Sequence, residues 1–156
     1  LDIEQAVDAA RQVLASRPYY PCLLLVHRDV GRLEHTGALL ATQTNWPLLP
    51  VGVLLAERLL AVAPQRRGGE AEQILMAKTS ELAPGPCLCG ELDILFEPEL
   101  GLDPLALLRR CSRLVPLIAL WPGTFVDGAL AYAVPAHAHY RLWKYTELCA
   151  RCILPL

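Results

Sequence analysis

The run Tyr20-Pro21-Cys22-Leu23-Leu24-Leu25-Val26 decides the fold class. It is apolar, of strand length, and bounded by Arg17-Pro18 before it and by the polar His27-Arg28-Asp29 after it. An apolar run without polar alternation, set between helices, suits a strand buried on both faces of a parallel sheet. Upstream, Ile3, Ala6, Val7, Ala10, Val13 and Leu14 recur at three- and four-residue spacings and predict a helix over 3–15. Arg17 and Pro18 close it. Downstream, 27–35 reads as a polar, irregular connection and 36–42 as one or two helical turns.

The same alternation continues along the chain. Residues 46–53 are apolar with two prolines and predict a second short strand, followed by a helix over 53–63 that ends at Pro64. Gln65-Arg66-Arg67-Gly68-Gly69 reads as a mobile loop, 70–82 as a helix stopped by Ala83-Pro84-Gly85-Pro86, and 87–92 as a strand. Residues 93–102 form a short ordered connection. Asp103-Pro104 is a matched N-cap and first helical position, opening a helix through Leu105, Leu108, Arg109 and Ser112. A strand over 115–121 ends at Pro122-Gly123. Asp127-Gly128 between apolar runs predicts a hairpin over 124–134, and 140–148 a final short helix or strand. Alternating helices and apolar strands argue for a parallel α/β sheet with helices on both faces. With no internal repeat or low-complexity linker, residues 1–156 read as a single domain.

Composition narrows the function classes. In 156 residues, 54% are hydrophobic and 19% charged, which excludes intrinsic disorder. The formal charge of -2 gives no general attraction to nucleic acid, so DNA contact would need a local basic patch. The apolar stretches at 46–62 and 115–133 are broken by prolines, glycines and charges, so neither supplies the roughly 20 uninterrupted residues of a spanning helix. The acidic start, Leu1-Asp2-Ile3-Glu4, lacks a signal peptide's basic region, and the cytoplasm is the expected compartment. Cys22 and Cys111 are isolated among apolar residues, and Cys87 and Cys89 share one strand face. Cys149-Ala-Arg-Cys152 is a lone CxxC. The favoured reading is six reduced thiols without metal; a four-cysteine zinc site built from the CxC and CxxC pairs, and redox chemistry, are the alternatives.

The first strand-to-helix loop is where an α/β chain would cradle phosphate. A P-loop needs GxxxxGK[ST], with glycines for close backbone approach, a lysine for the phosphates and a hydroxyl for magnesium. Here His27 stands at the first glycine position, no Gly-Lys pair follows, and Glu34 adds negative charge. Arg28, Gly31, Arg32, His35 and Thr36 remain as candidates for a nucleotide- or anion-binding loop. The second element would be a strand-end carboxylate holding magnesium. That position is Gly90, which leaves Glu91 as the acidic candidate. His137-Ala138-His139 offers a two-imidazole metal pattern, against which a satisfied turn pair is the simpler reading. Arg109, Arg110 and Arg113 give one helix a basic side, a possible contact face for DNA or an acidic partner, or else a solvated surface. Ser112 lies in no nucleophile motif. Leu130, Tyr132, Tyr140, Leu142, Trp143 and Tyr145 are the candidate interface residues, because aromatic side chains anchor protein interfaces.

From Gly90 onward the chain resembles a known family. The run Glu91-Leu-Asp-Ile-Leu-Phe-Glu-Pro-Glu-Leu-Gly-Leu-Asp-Pro-Leu-Ala-Leu-Leu-Arg-Arg-Cys-Ser-Arg113 carries the similarity, with Ala119-Leu-Trp-Pro-Gly123, Gly128-Ala-Leu-Ala-Tyr-Ala133 and His137-Ala-His-Tyr140. Weaker likeness covers 46–67 and 23–26. These segments are similar to BrxF, the small P-loop protein of type 3 BREX phage-defence systems. The resemblance implies a P-loop NTPase-like parallel sheet with flanking helices and a C-terminal β-hairpin. It also implies partners among other defence proteins, including an ATPase, a methyltransferase and a phosphatase-like protein. Family members carry a P-loop after the first strand and an Asp at the position of Gly90. This chain has neither, so the resemblance transfers no nucleotide-binding residue. The expected function is a non-catalytic, degenerate P-loop-like subunit that assembles with defence proteins or with itself and needs no cofactor. An atypical ATPase using ATP and magnesium through Arg28, Arg32 or Thr36 is the alternative, and a DNA-contacting module the second.

Overall fold

A strand buried on both faces must be apolar, and β1 (Cys22–His27) is apolar and buried from Cys22 to Val26 in a computed structural model describing residues 3–156. Leu23 and Leu25 face one helical layer, while Cys22, Leu24 and Val26 face the other. β4 (Leu117–Val126) lies parallel beside β1, with Cys22 opposite Leu117 and His27 opposite Pro122. β7 (Ile153–Pro155) lies parallel on the other side, with Leu24 opposite Ile153. Beyond β4 come β3 (Cys87–Gly90) and then β2 (Leu48–Pro50), both parallel, for the order β2-β3-β4-β1-β7.

The two faces carry different helices. On one, α1 (Ile3–Ser16) and α2 (Val30–Thr44) cover Leu23, Leu25, Leu88, Ile118 and Leu120 through Ala6, Ala10, Val13, Leu33 and Leu40. On the other, α3 (Val51–Leu60), α4 (Arg67–Glu81) and α5 (Pro104–Ser112) pack Leu55, Leu75, Leu105 and Leu108 onto Leu24, Cys89 and Leu117. Each fully buried leucine contributes about 1.5–3 kcal/mol, so this two-sided burial is the main source of stability. Gly37 belongs to that packing: a Cβ there would lie 2.5 Å from Leu120 Cδ1.

The far half of β4 leaves the parallel sheet and turns through Asp127 and Gly128, both at positive φ, into antiparallel β5 (Ala129–Tyr132). β6 (Arg141–Trp143) pairs antiparallel with β5. The Trp121-Pro122-Gly123 segment has a structural role here. Trp121 Nε1 donates to Ala131 O at 2.9 Å, and a Cβ on Gly123 would overlap that same carbonyl.

Several expectations need correction. The connection expected over 27–35 is helical from Val30, because Asp29 adopts an extended conformation and caps α2. The mobile loop expected at 65–69 is ordered: Pro64–Arg66 is a 3₁₀ turn and α4 begins at Arg67. A Cβ on Gly68 would overlap Leu100 O, so that glycine allows the helix to seat closely. The strand expected over 87–92 stops at Gly90, since Glu91 turns to φ 54° and Leu92–Phe96 is 3₁₀. β7 is a strand not expected at all. Cys149 and Cys152 are joined in a disulfide rather than standing as free thiols; Cys22, Cys87, Cys89 and Cys111 are free and buried. Among the described residues no helix is long and apolar enough to cross a membrane.

Candidate functional site

The sheet order places β1 between β4 and β7, with its chain continuing to β2 at the far edge. Strand ends at such a switch in direction form the crevice where open α/β sheets take ligands. A cavity of about 510 Å³ lies there, and Gly31, Arg32, His35 and Thr36 line it with His27 and Leu156. Arg28 is separate: it lines a smaller hollow beside Gly123 and Phe125. Four of the five loop candidates therefore converge and one does not.

The N-terminus of α2 already holds an anion. Asp29 Oδ1 accepts from Arg32 N at 3.2 Å, and Asp29 N donates to His27 Nδ1 at 2.8 Å. Helix N-terminal N–H groups favour negative charge. Here the chain's own carboxylate accepts from the one at Arg32 and sets a negative charge at the helix start, which disfavours a second anion there.

The strand-end carboxylate is also engaged. Residue 50 is Pro, which caps α3 with no side-chain acceptor. Glu91 supplies the acceptor from 38 residues away: Val53 N donates to Glu91 Oε1 at 3.2 Å. Glu91 N in turn donates to Glu34 Oε1 at 3.2 Å. Gly52 is needed for this approach, since a Cβ there would sit 2.9 Å from Glu91 Oε1. Glu34 Oε2 lies 3.4 Å from where a Cβ on Gly90 would be, so an Asp at 90 would set a second carboxylate against Glu34. Glu34, Glu91, Asp93 and Glu97 line a cleft of about 550 Å³, whose negative potential disfavours phosphate. Among the described residues no group of three or more side chains is arranged to hold a metal ion.

The three arginines of the basic side are engaged within the chain. Arg109 donates to Thr146 O at 2.8 Å, pairs with Glu147 at 2.9 Å and lies over Tyr20. Arg110 pairs with Glu72. Arg113 donates to Tyr19 O, its guanidinium 4.0 Å from that ring's centre. The aromatic candidates divide. Tyr132 is buried, stacked on Phe96 at 3.8 Å, and donates to Asp93 Oδ1 at 2.9 Å, so it offers no face to a partner. Burial and that hydrogen bond push its phenol well above the usual range. Tyr140 and Trp143 are half-buried, and Trp143 donates to Asp103 Oδ1 at 3.2 Å. Leu142 and Tyr145 are exposed, Tyr145 at 86%. His137 and His139 stand in a turn with ring centres 5.6 Å apart; His139 N donates to His137 Nδ1, and His139 faces Glu97 at 3.9 Å.

Sequence reasoning missed Asp29 as a cap, the contact of Glu34 with Glu91, and the Cys149–Cys152 bond. Asp29 had a signal, an N-cap residue directly before an apolar helical start. Glu34 had none, because its contact spans 57 residues. No family model, curated protein or solved structure matches the chain.

Proposed function

We propose that this chain is a non-catalytic P-loop-type domain, a degenerate subunit that acts by assembling with other proteins of a BREX-type bacterial phage-defence system. The observation that carries the non-catalytic reading is the internal use of both carboxylates nearest the phosphate positions: Asp29 caps α2 and Glu91 caps α3. Phosphoryl transfer needs positive charge around the phosphates and a positioned metal. The strand order β2-β3-β4-β1-β7, with the candidate loop at the end of β1, supports the P-loop-type reading. The segments similar to BrxF support the defence assignment. Exposed Leu142 and Tyr145, on and beside the edge strand β6, are the side chains that would meet a partner or a second copy.

A second reading, an atypical nucleotide-binding protein or ATPase, is favoured by the cavity that gathers Arg32, His35 and Thr36. The DNA-contacting reading is weakened by the internal partners of Arg109, Arg110 and Arg113. Thermal denaturation with ATP, ADP or GTP and magnesium separates the first two. A ligand at 100 times its Kd stabilises the native state by about 2.7 kcal/mol, about 5–11 °C for a chain of this size. The expected result is no such shift, ATP hydrolysis at the buffer rate, and co-purification with the neighbouring defence proteins that Tyr145→Ala weakens. Magnesium-dependent turnover abolished by Arg32→Ala would establish the second reading instead.

A further inference from the structure

We propose that Cys149–Cys152 is a reversible thiol–disulfide exchange site whose co-substrate is a dithiol. Exchange requires a thiolate to reach one sulfur of the bond. The two cysteines differ sharply in exposure: Cys149 is exposed, whereas Cys152 is fully buried against the α1 side of the sheet. The dithiol therefore attacks Cys149, and Cys152 is the leaving group.

The step balances without any further reactant. One thiolate of the dithiol bonds to Cys149 Sγ as the Cys149–Cys152 bond breaks, and the released Cys152 thiolate takes a proton. The second thiol of the reagent then attacks its own sulfur in the mixed disulfide, releasing Cys149 as a thiolate. The dithiol leaves as a disulfide, oxidised by two electrons, and the chain gains two hydrogens once both cysteines are protonated.

Reversibility follows from how the flanking chain is held. Before the pair, Arg109 grips Thr146 O and Glu147, and Leu148 N donates to Thr146 Oγ1 at 3.2 Å. After it, β7 is paired to β1, and Leu156 N donates to Val26 O at 2.9 Å. Between them Cys152 N donates to Cys149 O at 2.9 Å, which keeps the turn when the sulfurs part. The bond closes only a three-residue separation, so it constrains the unfolded chain far less than a long-range disulfide. Cys22, Cys87, Cys89 and Cys111 are fully buried, on the opposite face of the sheet, and take no part.

The experiment is dithiothreitol reduction of the native, oxidised chain, followed by maleimide labelling without denaturant and mass analysis. The expected product has gained two hydrogens and carries one maleimide at Cys149, with Cys22, Cys87, Cys89 and Cys111 unlabelled. In a reduced sample left without maleimide, oxidised dithiothreitol should restore the starting mass. Cys152→Ser, with Cys149 alone, should form a mixed disulfide with oxidised glutathione, and Cys149→Ser should not, with circular dichroism showing both folded. A bond that resists reduction until denaturant is added would overturn the proposal, as would equal reactivity of the two single variants.

Discussion

Glu91 separates a helix-capping role from a magnesium-binding one, and three substitutions distinguish them. Its carboxylate accepts from Val53 N at the start of α3, and its own backbone sits at φ 54° and ψ 48°. Glu91→Ala removes the acceptor and keeps the left-handed backbone, so it loses the cap alone, about 1 kcal/mol. In a chain of this length that lowers the melting midpoint by about 2–4 °C. Glu91→Gln keeps an oxygen at the same reach and loses only the charge on the helix dipole, about 0.3–1 kcal/mol. Glu91→Gly also loses the cap but relieves the left-handed conformation, which costs a side-chain-bearing residue about 1–2 kcal/mol. The expected order of stability is therefore Gly above Ala, with Gly near the unsubstituted chain. Urea unfolding followed by circular dichroism measures all three. If Glu91→Ala melted with the unsubstituted chain, the capping account would be refuted; if Glu91→Gly fell as far as Ala, the account of backbone strain would be.

Other tests probe the hairpin, the clamp and the buried thiols. Gly123→Ala should destabilise by about 1–3 kcal/mol, as overpacking does, because its Cβ meets Ala131 O; unfolding midpoints measure it. Arg109→Ala should cost about 1.5–3 kcal/mol through the charged hydrogen bond to Thr146 O. Arg109→Lys should recover little of that, since an ammonium lacks the fork that reaches Thr146 and Glu147 together. Burial pushes the Cys22 thiol up from 9.0 to about 12, and burial pushes Cys111 up to about 11. Their folded pKa values exceed the unfolded one, so the unfolded chain loses those protons first. Stability from these thiols is thus intact below about pH 9 and falls above it, by about 1.4 kcal/mol per pH unit for each. Urea titrations at rising pH should show a shallower alkaline decline for Cys22→Ala than for the unsubstituted chain.

The sequence by itself determined the parallel α/β class, because burial on both faces demands the unbroken apolar run of β1 and the three- and four-residue spacings of α1. It also located the helix opened by Asp103 and Pro104 and the turn at Asp127-Gly128, since caps and tight turns are written in adjacent residues. What adjacency does not encode was decided by tertiary structure. β7 is three residues long and becomes a strand only because β1 offers it an edge. Glu91 looks available for chemistry in the sequence. Its oxygen is committed by where α3 begins, a contact that bridges 38 residues. Arg109, Arg110 and Arg113 read as a basic face, yet Glu147, Glu72 and Tyr19 meet them only when distant segments pack alongside. Local pattern fixes which elements form, because propensity and capping act over a few residues; which polar groups remain free depends on contacts that only the folded chain brings together.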